Sequence, residues 1–429
     1  MEKMYQEAEG LLQFIKESPS TYHVISNIKE KLQKAGFEEL NEKEAWQIKY
    51  GKSYFVIRNG SSIIAFRMPK ACAKGFHIIA SHSDSPTFKL KEKPEMAAED
   101  KYVRINTEKY GGMILNTWMD RPLSVAGRVV VKDKDGKIVN KLVDIDKDLL
   151  VIPNVAIHMN REVNKGVELN PQVDMLPLMS LSGAKDAKGA FAKLVAENAG
   201  VNPEDILGQD LYLYVRDAGR LIGANQEFIL SPKLDDLQSV YASMEAFCNV
   251  EPTAYINVLA VFDNEEVGSG TMQGADSTLL EDVLKRMAEA IGMSASEYLR
   301  LVADSFLISA DNAHAVHPNH PEKADPTNRP YIGGGLVIKF HGSQRYTTDA
   351  ISAAKMKLCC EKAEVPYQTY FNRSDIMGGS TLGNISTAHV SLSSVDVGMP
   401  QLAMHSAVET AGTADTTYAR KAFEAFYAE

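Results

Sequence analysis

The stretch Tyr255–Gly274, YINVLAVFDNEEVGSGTMQG, constrains the fold of this chain more than any other. Ile256, Val258, Leu259, Ala260, Val261 and Phe262 make a nearly unbroken apolar run, the pattern of a strand buried on both faces. The run stops at Asp263, Asn264, Glu265 and Glu266, and Gly268 and Gly270 then let the backbone turn tightly. Acidic side chains at the C-terminal end of a buried strand sit where open α/β sheets keep their ligands. Taken alone, Glu265-Glu266 also reads as a solvated acidic turn. The rest of the chain decides between the two.

The pattern of that strand recurs. Phe76–Ala80 is a second buried run and leads into Ser81-His82-Ser83-Asp84-Ser85-Pro86. A third, Ser305–Ser309, ends in Ala310-Asp311-Asn312-Ala313-His314. Ser53–Arg58 and Ser62–Met68 flank Asn59-Gly60, a strong hairpin signal. Helical periodicity marks Tyr22–Ala35, Ser231 to Asn249, about 277–291, 294–304, Thr347–Ala363 and Ala414–Ala428, with further strands at Gly335–His341, Tyr367–Phe371 and Val390–Val395. Between these halves, Lys91–Asp100 reads as a charged loop. Short strands follow, including a hairpin at Lys134-Asp135-Gly136, a helix over Lys185–Asn198 and a strand at Leu211–Arg216. We therefore expect a three-layer α/β/α core from residues 1–92 and 231–429, interrupted by a mainly β domain at 93–230.

Composition narrows the function. The 429 residues carry a net charge of −10 with no long run of one sign, which argues against nucleic acid as a partner. No stretch approaches membrane-spanning length, and MEKMYQEAEGLLQFIKESPS lacks the apolar core of a signal peptide. Cys72, Cys248, Cys359 and Cys360 form no CxxC pair, so a cytoplasmic protein with reduced thiols is expected.

The chemistry-bearing clusters are His82/Asp84, Asp235, Glu265/Glu266, Asp311 and His405. Imidazole and carboxylate together suit zinc, and also cobalt or manganese. Asp84, two residues past His82, shares its face of an extended segment and can fix its tautomer. Asp235, Glu266 and Asp311 supply three negative charges against the four positive charges of two divalent ions. A net positive charge then remains for a hydroxide or a developing oxyanion, with Glu265 as a nearby base. Singly, each residue has a plainer reading: Asp235 as a helix N-cap, Asp311 as a turn residue, His405 as a hydrogen-bonded core histidine. HExxH, GxSxG and P-loop sequences are absent, and a carboxylate-pair glycosidase would leave the histidines unexplained.

With these residues assembled, the chain resembles the M18 family of metallo-aminopeptidases, aspartyl aminopeptidases among them. The resemblance runs nearly end to end. It includes SHSDSPTFKLK (81–91), TWMDRPLSVAGRV (117–129), IPNVAIHMNR (152–161), SPKLDDL (231–237), DNEEVGS (263–269), DNAHAVHPN (311–319), VIKFHGSQRY (337–346), GGSTLG (378–383) and PQLAMHS (400–406). It implies that His82, Asp235 and Asp311 hold one zinc, and that Asp235 bridges to a second held by Glu266 and His405. Glu265 would be the general base toward a water between the ions, Asp84 would orient His82, and His317 would stabilise the oxyanion. His158, and also His317, would reach a neighbour's site in a tetrahedral homododecamer. Lys339, Met377 and Gly378 match positions near the substrate, a peptide with a free N-terminus from which one residue, Asp or Glu in many members, is removed. Asp236 stands where many relatives carry Asn, and Asn312 where Met is common, which leaves a neutral preference open. Another dinuclear amidohydrolase on the same core, or a non-catalytic assembly protein, are the alternative readings.

Overall fold

The computed structural model describes residues 2–181 and 188–429. Its centre is a nine-stranded sheet. From edge to edge the strands are Glu38–Glu39, Ser53–Arg58, Ser62–Arg67, Ile256–Phe262, Phe76–His82, Phe306–Ala310, Ser393–Gly398, Leu336–Phe340 and Tyr367–Phe371. The four inner strands from Ile256–Phe262 to Ser393–Gly398 run parallel, with Phe262 level with His82. Every residue of Ile256–Phe262, Phe76–His82 and Phe306–Ala310 is buried, as their continuous apolar runs require.

Alternation along these strands feeds two cores. Ile79, Leu259, Val261 and Ile308 pack with residues of the helices Leu234–Asn249, Ala350–Lys362 and Asp415–Tyr427 on one face. Ile78, Ala80, Val258, Ala260 and Leu307 pack with residues of Leu279–Ala290 and Ala295–Ala303 on the other. The result is a three-layer α/β/α sandwich whose C-terminal strand ends share one edge. At Asn59-Gly60 the φ values are 56° and 70°, the pair of positive angles that a tight type I′ hairpin demands.

A second, six-stranded antiparallel sheet comes from Thr87–Ala98, Tyr102–Tyr110, Leu123–Lys132, Ile138–Asp144, Leu178–Leu181 and Ile206–Val215. It has its own core, in which Phe88, Val125, Val129 and Leu213 meet Phe191 and Val195 of the helix Ala190–Ala199. Lys91–Asp100 is thus no loop: up to Ala98 it continues the strand begun at Thr87. Much of that segment faces solvent, where charge is no bar to a strand, and a register shift between Leu90 and Glu95 marks the irregularity. The expected helix at Lys185–Asn198 begins at Ala190 and ends at Gly200, whose φ of 64° closes it; residues 185–187 lie outside the described residues.

A third sheet had no counterpart in the sequence reading. It joins Arg220–Ile222, Phe228–Ser231, Glu409–Gly412, Pro400–Leu402 and Ala313–His314. Strands this short carry too few residues for periodicity to register. Among the described residues no helix is long and apolar enough to cross a membrane.

Candidate active site

Three adjacent parallel strands deliver the first side chains. His82 is the last residue of Phe76–His82, Glu265 and Glu266 follow Phe262, and Asp311 follows Ala310. The small third sheet delivers the others. Asp235 lies four residues past its strand Phe228–Ser231, and His405 sits in the hairpin between Pro400–Leu402 and Glu409–Gly412. At Asp235 the backbone is still non-helical (φ −83°, ψ 108°), and its side chain caps no helix. It lies instead between two imidazoles: Oδ1 is 3.5 Å from His82 Nε2 and Oδ2 is 3.3 Å from His405 Nε2. The N-cap reading is therefore wrong for this residue.

His405 Nε2 is also 3.4 Å from Glu266 Oε2, while its Nδ1 donates to Gly112 O at 2.8 Å. That bond fixes the tautomer that leaves Nε2 free as a ligand. His82 Nδ1 is 3.1 Å from Asp84 O and 3.3 Å from Asp84 Oδ1, so its Nε2 likewise points at the cluster. Ligand atoms lie within 4.8 Å of one another in three groupings: His82 with Asp235, Asp236 and Asp311; His82 with Glu265 and Glu266; Asp235 with Glu266 and His405. Asp236, noted in the sequence only as a departure, is fully buried there, and its Oδ2 accepts from His82 N at 3.2 Å.

The surroundings hold the ligands by their main chains. The Asp84 carboxylate accepts from Glu265 N at 3.1 Å and Glu266 N at 3.2 Å, and from the Tyr110 hydroxyl at 2.7 Å. Glu409, which the sequence reading passed over, is buried and accepts from Asp235 N at 3.0 Å and His405 N at 2.7 Å. Lys339 is buried at 2 % exposure on a strand one in from the sheet edge. It donates to Asp311 O at 2.7 Å and Asn312 O at 3.3 Å. A spacing of four from His405 to Glu409 was the only trace of the Glu409 clamp in the sequence.

Electrostatics follow from this crowding. Burial, together with Asp311, Asp84 and Asp235, pushes Glu265 up to about 8, although His82 works against the shift. Burial also pushes Asp311 up to about 6, opposed by Lys339. For His405, burial disfavours the proton, but Asp235 and Glu266 outweigh it and raise the imidazole to about 10. Burial likewise disfavours charge on Asp235, yet His405 and His82 hold its carboxyl below the ordinary range. Asp235 Oδ1, Asp236 Oδ1 and Glu266 Oε1 are buried without any hydrogen-bond partner. Unpaired buried carboxylate oxygens are costly, so the cluster suits a divalent cation, and its imidazole and carboxylate donors suit zinc.

The cluster opens on a groove of about 300 Å³, lined by Glu265, Asp311, His314, Lys339, Thr381 and His405 among others. His314 was missed as a groove residue; its position two after a strand-end pair was the available signal. Gly379, Ser380 and Thr381 line the groove, whereas Met377, 74 % exposed, and Gly378 are not among its lining residues. His158 lies in an exposed turn and His317 in an exposed loop, and neither lines the groove.

Comparison with known proteins agrees with this arrangement. The family model described as aminopeptidase I zinc metalloprotease (M18) matches residues 14–427. The chain is 48 % identical over 424 residues to an M18 family aminopeptidase 2 of Clostridium acetobutylicum, covering 98 % of each chain. It is 38 % identical over 425 residues to that of Pseudomonas savastanoi, covering 98 % of this chain and 97 % of the relative. Among solved structures, the Ape4 and Nbr1 complex superposes with a TM-score of 0.96 at 37 % identity, covering 99 % of this chain and 86 % of the other. The chain belongs to the M18 family of zinc aminopeptidases and is a metallopeptidase that acts on N-terminal residues.

Proposed function

We propose that the protein is a two-metal aminopeptidase that removes a single N-terminal residue from short peptides. The observation that carries this reading is Asp235, whose two oxygens face His82 and His405 on opposite sides. One carboxylate shared by two donor groups is what a dinuclear site requires. We assign His82, Asp235 and Asp311 to one divalent ion and Asp235, Glu266 and His405 to the other. Zinc fits best, with cobalt or manganese as substitutes. When bound, such a pair lowers the pKa of a water and polarises the scissile carbonyl.

The chain's own residues supply the rest. Glu265 lines the groove beside His82 and Glu266 with its main chain pinned on Asp84, a position that suits a general base. It takes a proton from the attacking water and passes it to the leaving amine. Asp84 orients His82 while holding the loop that carries Glu265. Lys339 would face an acidic first side chain and favour Asp or Glu. A neutral preference is the second reading, favoured because the Lys339 ammonium already donates to two carbonyls.

We further propose that residues 1–92 and 231–429 form the catalytic domain and 93–230 an inserted oligomerisation domain. Exposed Val155, Ile157, His158 and Met159 would then meet a neighbouring subunit. His158 and His317, both away from the groove of their own chain, would act across that contact, with His317 on the oxyanion. A relative of 28 % identity from Saccharomyces is described as a dodecamer, and for this chain we propose a dodecamer of tetrahedral arrangement. Four free cysteines accord with a cytoplasmic setting.

Glu265→Gln tests the base. Metal analysis should find two ions per chain, as in the wild type, while hydrolysis of unblocked peptides falls by about 10²- to 10⁴-fold. Turnover at the wild-type rate would remove Glu265 from the mechanism, and equal turnover of N-acetylated peptides would move the enzyme to the deacylase class.

A further inference from the structure

The strand Tyr102–Tyr110 of the six-stranded sheet ends against the metal cluster of its own chain. Gly111, the next residue, has φ of 81°, and a Cβ there would lie 3.2 Å from Glu266 Cβ and 3.3 Å from Pro86 Cα. Glycine therefore lets this segment close in on the loop that carries Glu265 and Glu266. The segment goes on to hold the other side of the cluster. Gly112 O accepts from His405 Nδ1 at 2.8 Å, Ile114 N donates to His405 O at 2.9 Å, and Thr117 Oγ1 accepts from Ala407 N at 2.9 Å.

Tyr110 is the side chain through which this segment reaches the base. Its hydroxyl donates to Asp84 Oδ2 at 2.7 Å and accepts from Asn264 Nδ2 at 2.8 Å. The sense of both bonds is set by their surroundings. Asn264 Oδ1 is taken by Thr271 Oγ1 and Gln273 Nε2, both at 2.8 Å, so the amide turns its NH₂ to Tyr110. The single hydroxyl proton is then left for the carboxylate. Burial, with the charges of Asp84 and Asp263, pushes the phenol well up, so it stays a donor. Asp84 is itself buried and hands the restraint on, accepting from Glu265 N at 3.1 Å and Glu266 N at 3.2 Å. Among the described residues, Tyr110 is the one donor to this carboxylate that belongs to the six-stranded sheet. Neither Tyr110 nor Asp84 lines the substrate groove.

We propose that Tyr110 is a positioning residue for hydrolysis: through Asp84 it sets Glu265 in place, and so ties the base in the core to the six-stranded sheet. The inference rests on the reading of Glu265 as the general base. Because the hydroxyl acts on the base and not on the groove, its removal falls on kcat and spares KM.

The test is Tyr110→Phe in the zinc-loaded full chain, a change that deletes one oxygen and keeps the ring that meets Tyr212 edge-on at 5.5 Å. Its metal content should match wild type by elemental analysis, its KM for an unblocked peptide should stay within about twofold, and its kcat should fall by about 10- to 100-fold. In a Glu265→Gln background the same change should cost no more than about twofold, because its effect passes through that carboxylate. Tyr212→Phe, which alters the neighbouring ring, should leave kcat at wild type. Loss of metal, a rise in KM that accounts for the whole effect, an equal fall in Tyr212→Phe, or the full loss repeated without Glu265 would each overturn the proposal. Wild-type kcat in Tyr110→Phe beside an inactive Glu265→Gln would remove the proposal alone, whereas wild-type turnover in Glu265→Gln would remove the base and the proposal with it.

Discussion

Replacing Glu409 by Gln probes how the two ligand groups are held in register. Glu409 uses its two oxygens on two main-chain donors, His405 N at 2.7 Å and Asp235 N at 3.0 Å. A glutamine keeps one oxygen and turns its amide toward the other N–H, so one charge-assisted bond becomes a donor facing a donor. Hydrogen bonds to a charged group are worth about 1.5–3 kcal/mol, which corresponds to roughly 10- to 150-fold in an equilibrium constant. The loss should fall on His405. Each main chain has a second tether, Ser85 Oγ on the Asp235 carbonyl and Ile114 N on the His405 carbonyl, both at 2.9 Å, but His405 alone lies in a hairpin with φ of 65°, a region disfavoured for a side-chain-bearing residue. We therefore expect one zinc to weaken by about 10- to 100-fold, the usual effect of removing an outer-shell support, while the other changes little. Competition with a chromophoric chelator, run beside a thermal melt, reads both sites. A variant whose melting temperature drops while both zinc affinities stay at wild type would refute the clamp and leave Glu409 a packing residue.

Other expectations follow from the same geometry. His405→Ala should cost one metal per chain and nearly all peptide hydrolysis, measured by elemental analysis and initial rates; two retained metals would break its assignment as a ligand. Lys339→Met removes the ammonium that ties Asp311 and Asn312. It should lower kcat/KM for Asp- and Glu-initiated peptides by at least about tenfold. An equal loss on Leu-initiated peptides would mean that Lys339 only positions Asp311. Asp415, remote from the metals, accepts from Gly333 N and Gly335 N, yet burial overrides those bonds and pushes its carboxyl up to about 7. Because the folded chain holds this proton more tightly than the unfolded one, its contribution is present below the ordinary carboxylate range. It is lost as pH rises toward 7, at up to about 1.4 kcal/mol per pH unit. Asp415→Asn should flatten the decline in melting temperature between pH 5 and 7, and an unchanged slope would show that other groups set it.

The continuous apolar runs at Ile256–Phe262 and Phe76–Ala80 specified buried strands because no other local structure hides so many branched side chains side by side. The Asn59-Gly60 turn and most helix boundaries were likewise written locally, in residues that tolerate positive φ or repeat at helical spacing. From these alone the three-layer core and the strand-end placement of His82, Glu265, Glu266 and Asp311 could be read. Motifs added the family and grouped His405 with them. The charged stretch Lys91–Asp100 misled because strand or loop there depends on a partner strand, not on the residues themselves.

Tertiary structure alone decided which carboxylate stands between the two imidazoles and what holds it there. The third sheet pairs segments about 180 residues apart, Phe228–Ser231 with Glu409–Gly412, and so sets Glu409 under both Asp235 and His405. It also places His314 in the groove and buries Asp236 beside His82. For Glu409 and His314 the only local trace is a spacing, which does not fix their place. Each arises where short strands, which cannot be stable singly, find partners only after the large sheet has brought their ends together.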